Sequence, residues 1–598
     1  MKHWKLLLSL LFAIAVFWFW AFLYDSVLSY QEQYQLFLFS GSYFMDRVHL
    51  PGGLADYLSE FLVQFYYVPL YGAIILALLF FLLQRLSWVL GRHILGVADC
   101  WYPLTFLPVI VLWFVMSDEN VLLSFHVSLL AVLALCWLYG RYVAVRSIAW
   151  RALSLLVTMP VAYWLFGPSI YVLMAWVAVL EMRLNRSLQG VGLLVGMSLI
   201  ALCTILVSSW LPYEFHRFFI GLNYFRYPVY NPSMQFLVMA LFAFIPPLIS
   251  ALPKSFSGRR LVTAVTTQVL ILVAGGGALI YGAFNNYKYQ LIEYDYLVRS
   301  EQWNAIISKA ERQPAMRPLD VSCVNLALSQ KGLLAERLFD FYQNGVEGLF
   351  PAFTRDMTSP VSTAEIFFRL GMVNDAHRYM FEAQEAIPNY RKSGRMTKRI
   401  IQCEIVNGQY DVARKFLRRL SQTLFYRQWA LSTLELLEDE KSVDSDPLYG
   451  KLRGLRHKKE DYLFSDGEMD QMLGLLFTGN MANRMAYEYL MCYVLLQRDM
   501  EKFMSYYPLG QYVGYKRIPR AFQEVLIGNW LKKHSDFKTI PYSVDGTILD
   551  NTINFIRIYV ANPNNPQLNQ YPYASNAWNY LLKDSPVKTG EKTMREVY

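Results

Sequence analysis

The segment WRALSLLVTMPVAYWLFGPSIYVLMAWVAVLEM, residues 150–182, is apolar enough to enter a membrane and too long to cross it once. A hydrocarbon core about 30 Å thick takes roughly 20 helical residues. Gly167-Pro168-Ser169 divides the segment into 150–166 and 168–182, each short for a span. It therefore makes either two crossings or one broken, re-entrant element, and the choice sets the side of everything downstream. Apolar runs recur on both flanks, at 5–24, 67–90, 97–116 and 121–139 before it and at 190–210, 234–251 and 261–283 after it. With the divided segment counted twice, the chain is all-α and opens with a polytopic transmembrane bundle of about nine helices.

Loop charges test that count. With a cytoplasmic N terminus, the inner segments hold Lys2, Lys5, Arg85, Arg92, Arg141, Arg146, Arg151, Arg183, Arg186, Lys254, Arg259 and Arg260, and the outer short loops hold Arg47, Arg217 and Arg226. The split of 12 to 3 obeys the positive-inside rule for nine spans and puts everything after Tyr281 outside the cytoplasm.

Hydrophobic residues make up 55% of the 598 and charged residues 17%, and the imbalance is confined to the stretch from Trp4 to Tyr281. From Asn285 onward, charges recur every few residues. The net charge of +9 could suggest nucleic acid, but many basic groups sit in short loops where they orient helices, so a nucleic-acid role is excluded. Cys100, Cys136, Cys203, Cys323, Cys403 and Cys492 show no CxxC or other metal spacing, which predicts buried, reduced thiols. The exit of the first run, Phe19-Trp20-Ala21-Phe22-Leu23-Tyr24, lacks the small residues of a cleavage site, so this helix is read as a retained anchor. The resulting plan is a transmembrane domain over 1–283, a helical domain over 284–560 and a loosely ordered tail over 561–598, which opens with Asn562-Pro563-Asn564-Asn565-Pro566.

Inside the spans the sequence shows packing devices. Gly192 and Gly196 form a GxxxG pair, and Ala274, Ala278 and Gly282 repeat every fourth position. His126 is the main ionisable group at depth, read as a neutral histidine bonded to a neighbouring helix. Chemistry is sought in the outer loops. Loop 25–66 is aromatic and carries Asp25, Glu32, Asp46, Asp56 and Glu60, with Pro51-Gly52-Gly53 separating two expected surface helices. Asp25 and Glu32 share a helix face two turns apart, as do Asp56 and Glu60 one turn apart, where like charges repel slightly. Loop 211–233 carries Glu214, His216, Arg217, Tyr224, Arg226 and Tyr230. Arginine meets phosphate with a planar fork, and a carboxylate removes a proton from a hydroxyl, so the two loops suit chemistry on a lipid phosphate. Taken singly, each residue also has a plain role as a solvated carboxylate or a helix-end anchor.

The layout of one helix, an acidic outer loop, many further helices and an outer soluble domain resembles the GT-C superfamily of polyprenyl-phosphate-sugar-dependent glycosyltransferases. The stretch Tyr30-Gln31-Glu32-Gln33-Tyr34-Gln35-Leu36-Phe37-Leu38-Phe39 is similar to the acidic, aromatic-rich segment after the first helix in some of its branches. An Asp-Glu pair directly after the first helix, the more usual signature, is absent. The resemblance implies that Glu32 or Asp25 serves as catalytic base or as ligand to a divalent metal ion. Arg217, Arg226, His216 and Tyr224 then form the substrate-binding set for a polyprenyl-phosphate donor. The whole chain also resembles an uncharacterised bacterial family of large membrane proteins, which implies the inner membrane, with the N terminus cytoplasmic and the C-terminal domain periplasmic.

In the polar half, Gly371, Ala376, Met380, Ala383 and Pro388 resemble a tetratricopeptide unit. Gly408, Tyr410, Ala413, Leu417 and Leu420 repeat the pattern, as do Gly332, Ala335 and Phe339 more loosely. Such stacked pairs imply a surface for a peptide or protein. The acidic stretch 438–446 and the basic stretch 451–459 read as a solvated connection. No P-loop, GxSxG, HExxH or dinucleotide fingerprint is present. The reading is a GT-C-type transferase of the membrane, with a non-catalytic repeat scaffold that recruits envelope proteins as the alternative. A transporter ranks last because intramembrane charges are scarce.

Overall fold

The computed structural model describes residues 3–582 apart from 185–187, 229, 254–255, 257–258, 457–465 and 535. Lys2, Arg186, Lys254, the run 457–459 and the tail from 583 lie outside the described residues. The chain forms two compact units: Met1–Tyr289 with Pro388–Gly394 and Gln422–Arg427, and Gln290–Ile387 with Arg395–Ser421 and Gln428–Tyr598. Among the described residues there is no strand, only an isolated bridge between Val121 and Phe225.

Apolar sequence builds the first unit as helices α1 (Trp4–Trp18), α2 (Asp25–Gln33), α3 (Gly41–Val48), α4 (Gly53–Val63), α5 (Pro69–Val89), α6 (Leu107–Met116), α7 (Leu123–Leu138), α8 (Ile148–Phe166), α9 (Ile170–Leu184), α10 (Leu188–Ser208), α11 (Arg217–Ile220), α12 (Ser233–Ser250) and α13 (Arg259–Ala283). Among the described residues, eight apolar helical stretches are long enough to cross a membrane, one of them the 36-residue stretch Ile148–Arg183. That stretch folds back on itself. Arg151 near its start and Glu181 near its end are ion-paired at 3.0 Å, whereas a straight helix would hold them about 45 Å apart. The reversal is at Gly167, whose φ of 70° and ψ of −156° suit glycine alone. The divided segment thus makes two crossings, and the described residues make nine. This is the architecture of a multi-pass membrane protein.

The two ends of the bundle are marked by polar contacts. At the end where the chain starts, Lys5 pairs with Asp99 at 2.7 Å and Arg183 donates to the Leu95 carbonyl. At the far end, Trp164 Nε1 donates to the Val48 carbonyl, Gly52 N donates to the Trp164 carbonyl, and Tyr24 stacks on Tyr289 at 5.2 Å. The chain therefore leaves the bundle opposite its start, as an odd number of crossings requires. Helix α1 packs on the bundle by one face: Ser9 Oγ donates to Gln84 Oε1 at 2.7 Å, and Phe12 meets Phe80 and Phe106 edge-on. His126 is buried on α7 with its ring edge-on to Phe80 of α5, 4.6 Å between centroids.

Three expectations change. Gly192 and Gly196 have nothing near the place of a Cβ, and Ala274, Ala278 and Gly282 are exposed, so neither small-residue set packs helices within this chain. Helix α13 instead meets the bundle through Gly276 against Ile110 and through Gln268 Nε2 donating to the Cys100 carbonyl at 3.0 Å. Of the six free cysteines five are buried, but Cys203 is exposed on α10. Helix α4 does more than lie on the surface: Ala55, Asp56, Ser59, Glu60 and Val63 are buried and it packs against α7 and α8, while Leu58 stays exposed.

The second unit is built of paired helices. It begins with α14 (Asn286–Arg299), α15 (Trp303–Arg312), α16 (Pro318–Gln330), α17 (Leu334–Arg337), α18 (Ser359–Leu370), α19 (Val373–Glu385), α20 (Gly394–Val406) and α21 (Tyr410–Leu420). Gly332, Gly371 and Gly408 adopt left-handed φ of 67°, 93° and 77° between successive helices, where side chains with a Cβ would strain. Ala376, Met380, Ala383, Ala413, Leu417 and Leu420 are fully buried, as close helix pairing demands. The Glu365 carboxylate takes Arg399 at 2.8 Å and also Arg369. Asp439 caps a short helix in the acidic stretch, and Arg453 pairs with Glu440 and Asp444. Within 561–582, Trp578 is buried and donates to the Glu524 carbonyl at 2.7 Å.

Replacing Gly167 by alanine puts a Cβ 3.0 Å from the Tyr224 hydroxyl on a forbidden backbone. Thermal unfolding in detergent should show a loss of about 1–3 kcal/mol, and Gly192→Ala should be neutral or slightly stabilising.

Candidate functional site

The far end of the first unit is a layer of short helices rich in charge. In α3, Tyr43 and Arg47 stand one turn apart, and in α4, Asp56 and Glu60 do the same, so each helix offers a polar pair on one face. The two helices can approach because Gly53 lacks a Cβ, which would lie 2.0 Å from the Arg47 carbonyl. Arg47 Nε donates to Glu60 at 2.9 Å, and the Tyr43 hydroxyl donates to the same carboxylate. Arg391, from the segment Pro388–Gly394, donates to Asp56 at 2.5 Å and to Glu60. All of these side chains are buried except Arg47, which is mostly so. Two carboxylates that the sequence suggests should repel are thus neutralised by two guanidiniums.

The six sequence-predicted site residues have different fates. Glu32 is buried on α2 and accepts from the Tyr426 hydroxyl at 3.2 Å. On the same helix Tyr30 and Tyr34, one turn apart, lie about 200° away from Glu32. Their rings pack edge-on, 4.8 Å between centroids, and the Arg226 guanidinium lies against both, 5.5 Å from Tyr30 and 4.9 Å from Tyr34. Glu32 and Arg226 are therefore on different faces of α2 and do not form one constellation. Asp25 accepts from Ser26 N at 2.8 Å, holding the helix start, and from the Tyr289 hydroxyl at 3.2 Å. Tyr224 is buried, with its hydroxyl 2.8 Å from Ser169 Oγ and donating to the Phe166 carbonyl, so it braces the reversal at Gly167. His216 is exposed, 3.7 Å from Glu214. Arg217 stacks on Tyr227 at 4.5 Å and donates to Asn389 at 2.6 Å.

Around Arg226 the structure assembles groups that the sequence reading passed over. Its Nη1 donates to the Glu119 carbonyl at 2.9 Å and its backbone N–H to the Asn120 carbonyl, which fixes it against the turn between α6 and α7. That turn carries adjacent carboxylates, Asp118 and Glu119. Asp118 accepts from Asn120 N at 2.8 Å, and Glu119 is paired with Lys288 at 2.9 Å. Burial raises the Asp118 carboxyl above its ordinary range, and the charge of Glu119 raises it further. Burial lowers the Arg226 guanidinium. Arg226 is 3% exposed, and among the described residues no carboxylate is ion-paired to it or to Arg217. Two adjacent acids in a short turn between spans, and a lysine just past the last span, were signals open to sequence reading. Arg391, far along the polar half, was not.

Among the described residues no three His, Cys, Asp or Glu side chains converge where a divalent ion could sit. The model of a family of unknown function, DUF6057, matches residues 2–584. The chain belongs to that family. No curated protein and no solved structure matches it.

Arg391→Met alone leaves two buried carboxylates facing one guanidinium and should cost about 3–5 kcal/mol. Adding Asp56→Leu should recover part of that loss in the same thermal assay.

Proposed function

We propose that the chain is a membrane transferase of GT-C type that moves a sugar from a polyprenyl-phosphate carrier to an acceptor on the periplasmic side, which the far end of the bundle faces. The observation that carries this reading is Arg226, a buried guanidinium against a pair of tyrosine rings with carbonyl contact and no carboxylate ion-paired to it among the described residues. A buried cation without a counter-ion is costly, and an anion relieves the cost. Phosphate matches the planar fork of arginine, and the turn that holds Arg226 also carries the Lys288–Glu119 ion pair.

The acceptor side falls to Asp118 and Asp25. A deprotonated carboxylate takes the proton of the acceptor hydroxyl while that oxygen bonds to the anomeric carbon. The bond from this carbon to the phosphate oxygen breaks, and the phosphate leaves with both electrons toward Arg226. Glu32, turned to Tyr426, is assigned to holding α2 in place.

A second reading, a non-catalytic scaffold of the inner membrane, is favoured by the helix pairs of the second unit. They resemble tetratricopeptide repeats in their turn glycines and buried alanines, and such pairs would hold a peptide or protein.

The two readings part on the loop variants. Arg226→Ala in nanodiscs should weaken polyprenyl-phosphate binding about 10- to 100-fold by native mass spectrometry. Asp118→Asn should abolish transfer without changing that affinity. Transfer should also fall on acidification at a pH above the ordinary carboxylate value of about 3.9, because the base works deprotonated and its pKa is raised. Unchanged binding and an unchanged envelope glycan profile in both variants would leave the scaffold.

A further inference from the structure

Helix α3 has two unlike faces. Tyr43 and Arg47 turn inward to Glu60, while Phe44 and Met45 beside them are exposed, Met45 at 66%. Phe39, Leu58, Tyr67 and Leu424 are also exposed large apolar side chains of this unit. Ring contacts run from Phe39 to Tyr67: Phe39 to Phe61 at 6.3 Å, Phe61 to Phe65 at 5.7 Å, Phe65 to Phe425 at 5.9 Å and Phe425 to Tyr67 at 5.0 Å. Phe44 joins Phe39 by way of Tyr57 and Phe37, and Met45, Leu58 and Leu424 are the chain neighbours of Phe44, Tyr57 and Phe425. Tyr67 stands at the head of α5. Along α5, Leu70, Ile74, Leu78 and Leu82 are exposed at every fourth position, a stripe that in a spanning helix meets lipid.

The patch is therefore continuous with the lipid-facing flank of the bundle. Exposed apolar surface of this kind marks an interaction site. Aromatic rings at the end of a span, and a short helix that is charged on one face and apolar on the other, suit the boundary between headgroups and acyl chains.

We infer that the Phe39, Phe44, Met45, Leu58, Tyr67 and Leu424 face is seated in the interfacial region of the bilayer leaflet at the far end, with membrane lipid as its occupant. This inference rests on the exposed side chains and their continuity with α5, independently of the transferase reading. Its consequence is a depth: the α3–α4 layer is held at headgroup level, the height at which a lipid-borne phosphate lies.

The test labels Met45→Cys and, separately, Leu58→Cys with a bimane fluorophore in a Cys203→Ser full-length background, reconstituted in vesicles of brominated or ordinary phosphatidylcholine. Asp411→Cys, at a fully exposed position of α21, is the control. Brominated lipid should quench the labels at 45 and 58 at least twofold more than the label at 411. Quenching by aqueous iodide alone would place the face in water, and protection from both quenchers would place it under protein. Either result overturns the inference.

Discussion

Arg391 closes a circuit of four buried charges. Without its guanidinium, Asp56 and Glu60 would sit one turn apart on α4 with Arg47 alone to balance them, in a layer that excludes water. A buried ion pair adds little when compared with apolar packing, but removal of one partner is expensive. Such a network specifies an arrangement more than it stabilises one. Here it fixes the segment Pro388–Gly394 onto the first unit, sets α3 against α4 through Glu60, and lets α4 lie among α7 and α8. The neighbouring contacts follow the same plan: Leu36 N donates to the Lys392 carbonyl and Phe39 N to the Gln422 carbonyl.

The contrast between this network and Arg226 is what directs attention to function. Arg47 and Arg391 are matched by carboxylates, whereas Arg226, equally buried, is matched by aromatic faces and a backbone carbonyl. Tyrosine rings stabilise a guanidinium by about 0.5–2 kcal/mol, which does not offset the loss of its hydration. Evolution tolerates such a group where a ligand completes it. The turn that holds it brings two acids and a lysine to the same place, so cation and carboxylates share one short connection between spans.

Much of the bundle was legible in the sequence because solvent chooses span residues by one property, apolarity, which is visible locally. The reversal at Gly167 was legible as an alternative and settled by the distant pair Arg151 and Glu181. Faces and partners were less legible. Glu32 drew attention as an acid after the first helix, yet its helix turns Tyr30 and Tyr34 to the cation and Glu32 away from it. Asp56 and Glu60 read as a repulsive pair because their partner lies 335 and 331 positions away. Gly192 and Gly196 carry a packing motif that no neighbour in this chain uses, since motif and partner are separate facts.

Arg226 and the Asp118–Glu119 turn form the proposed site for a lipid-borne phosphate. A polyprenyl phosphate bearing a diazirine next to the phosphate, photolysed with the full-length protein in nanodiscs and mapped by peptide mass spectrometry, tests it most directly. The account predicts adducts on Tyr30, Tyr34 and the 118–120 turn that are competed by unlabelled polyprenyl phosphate and lost in Arg226→Ala. Adducts spread over the exposed flanks of α10 and α13, indifferent to competitor and to the substitution, would contradict it.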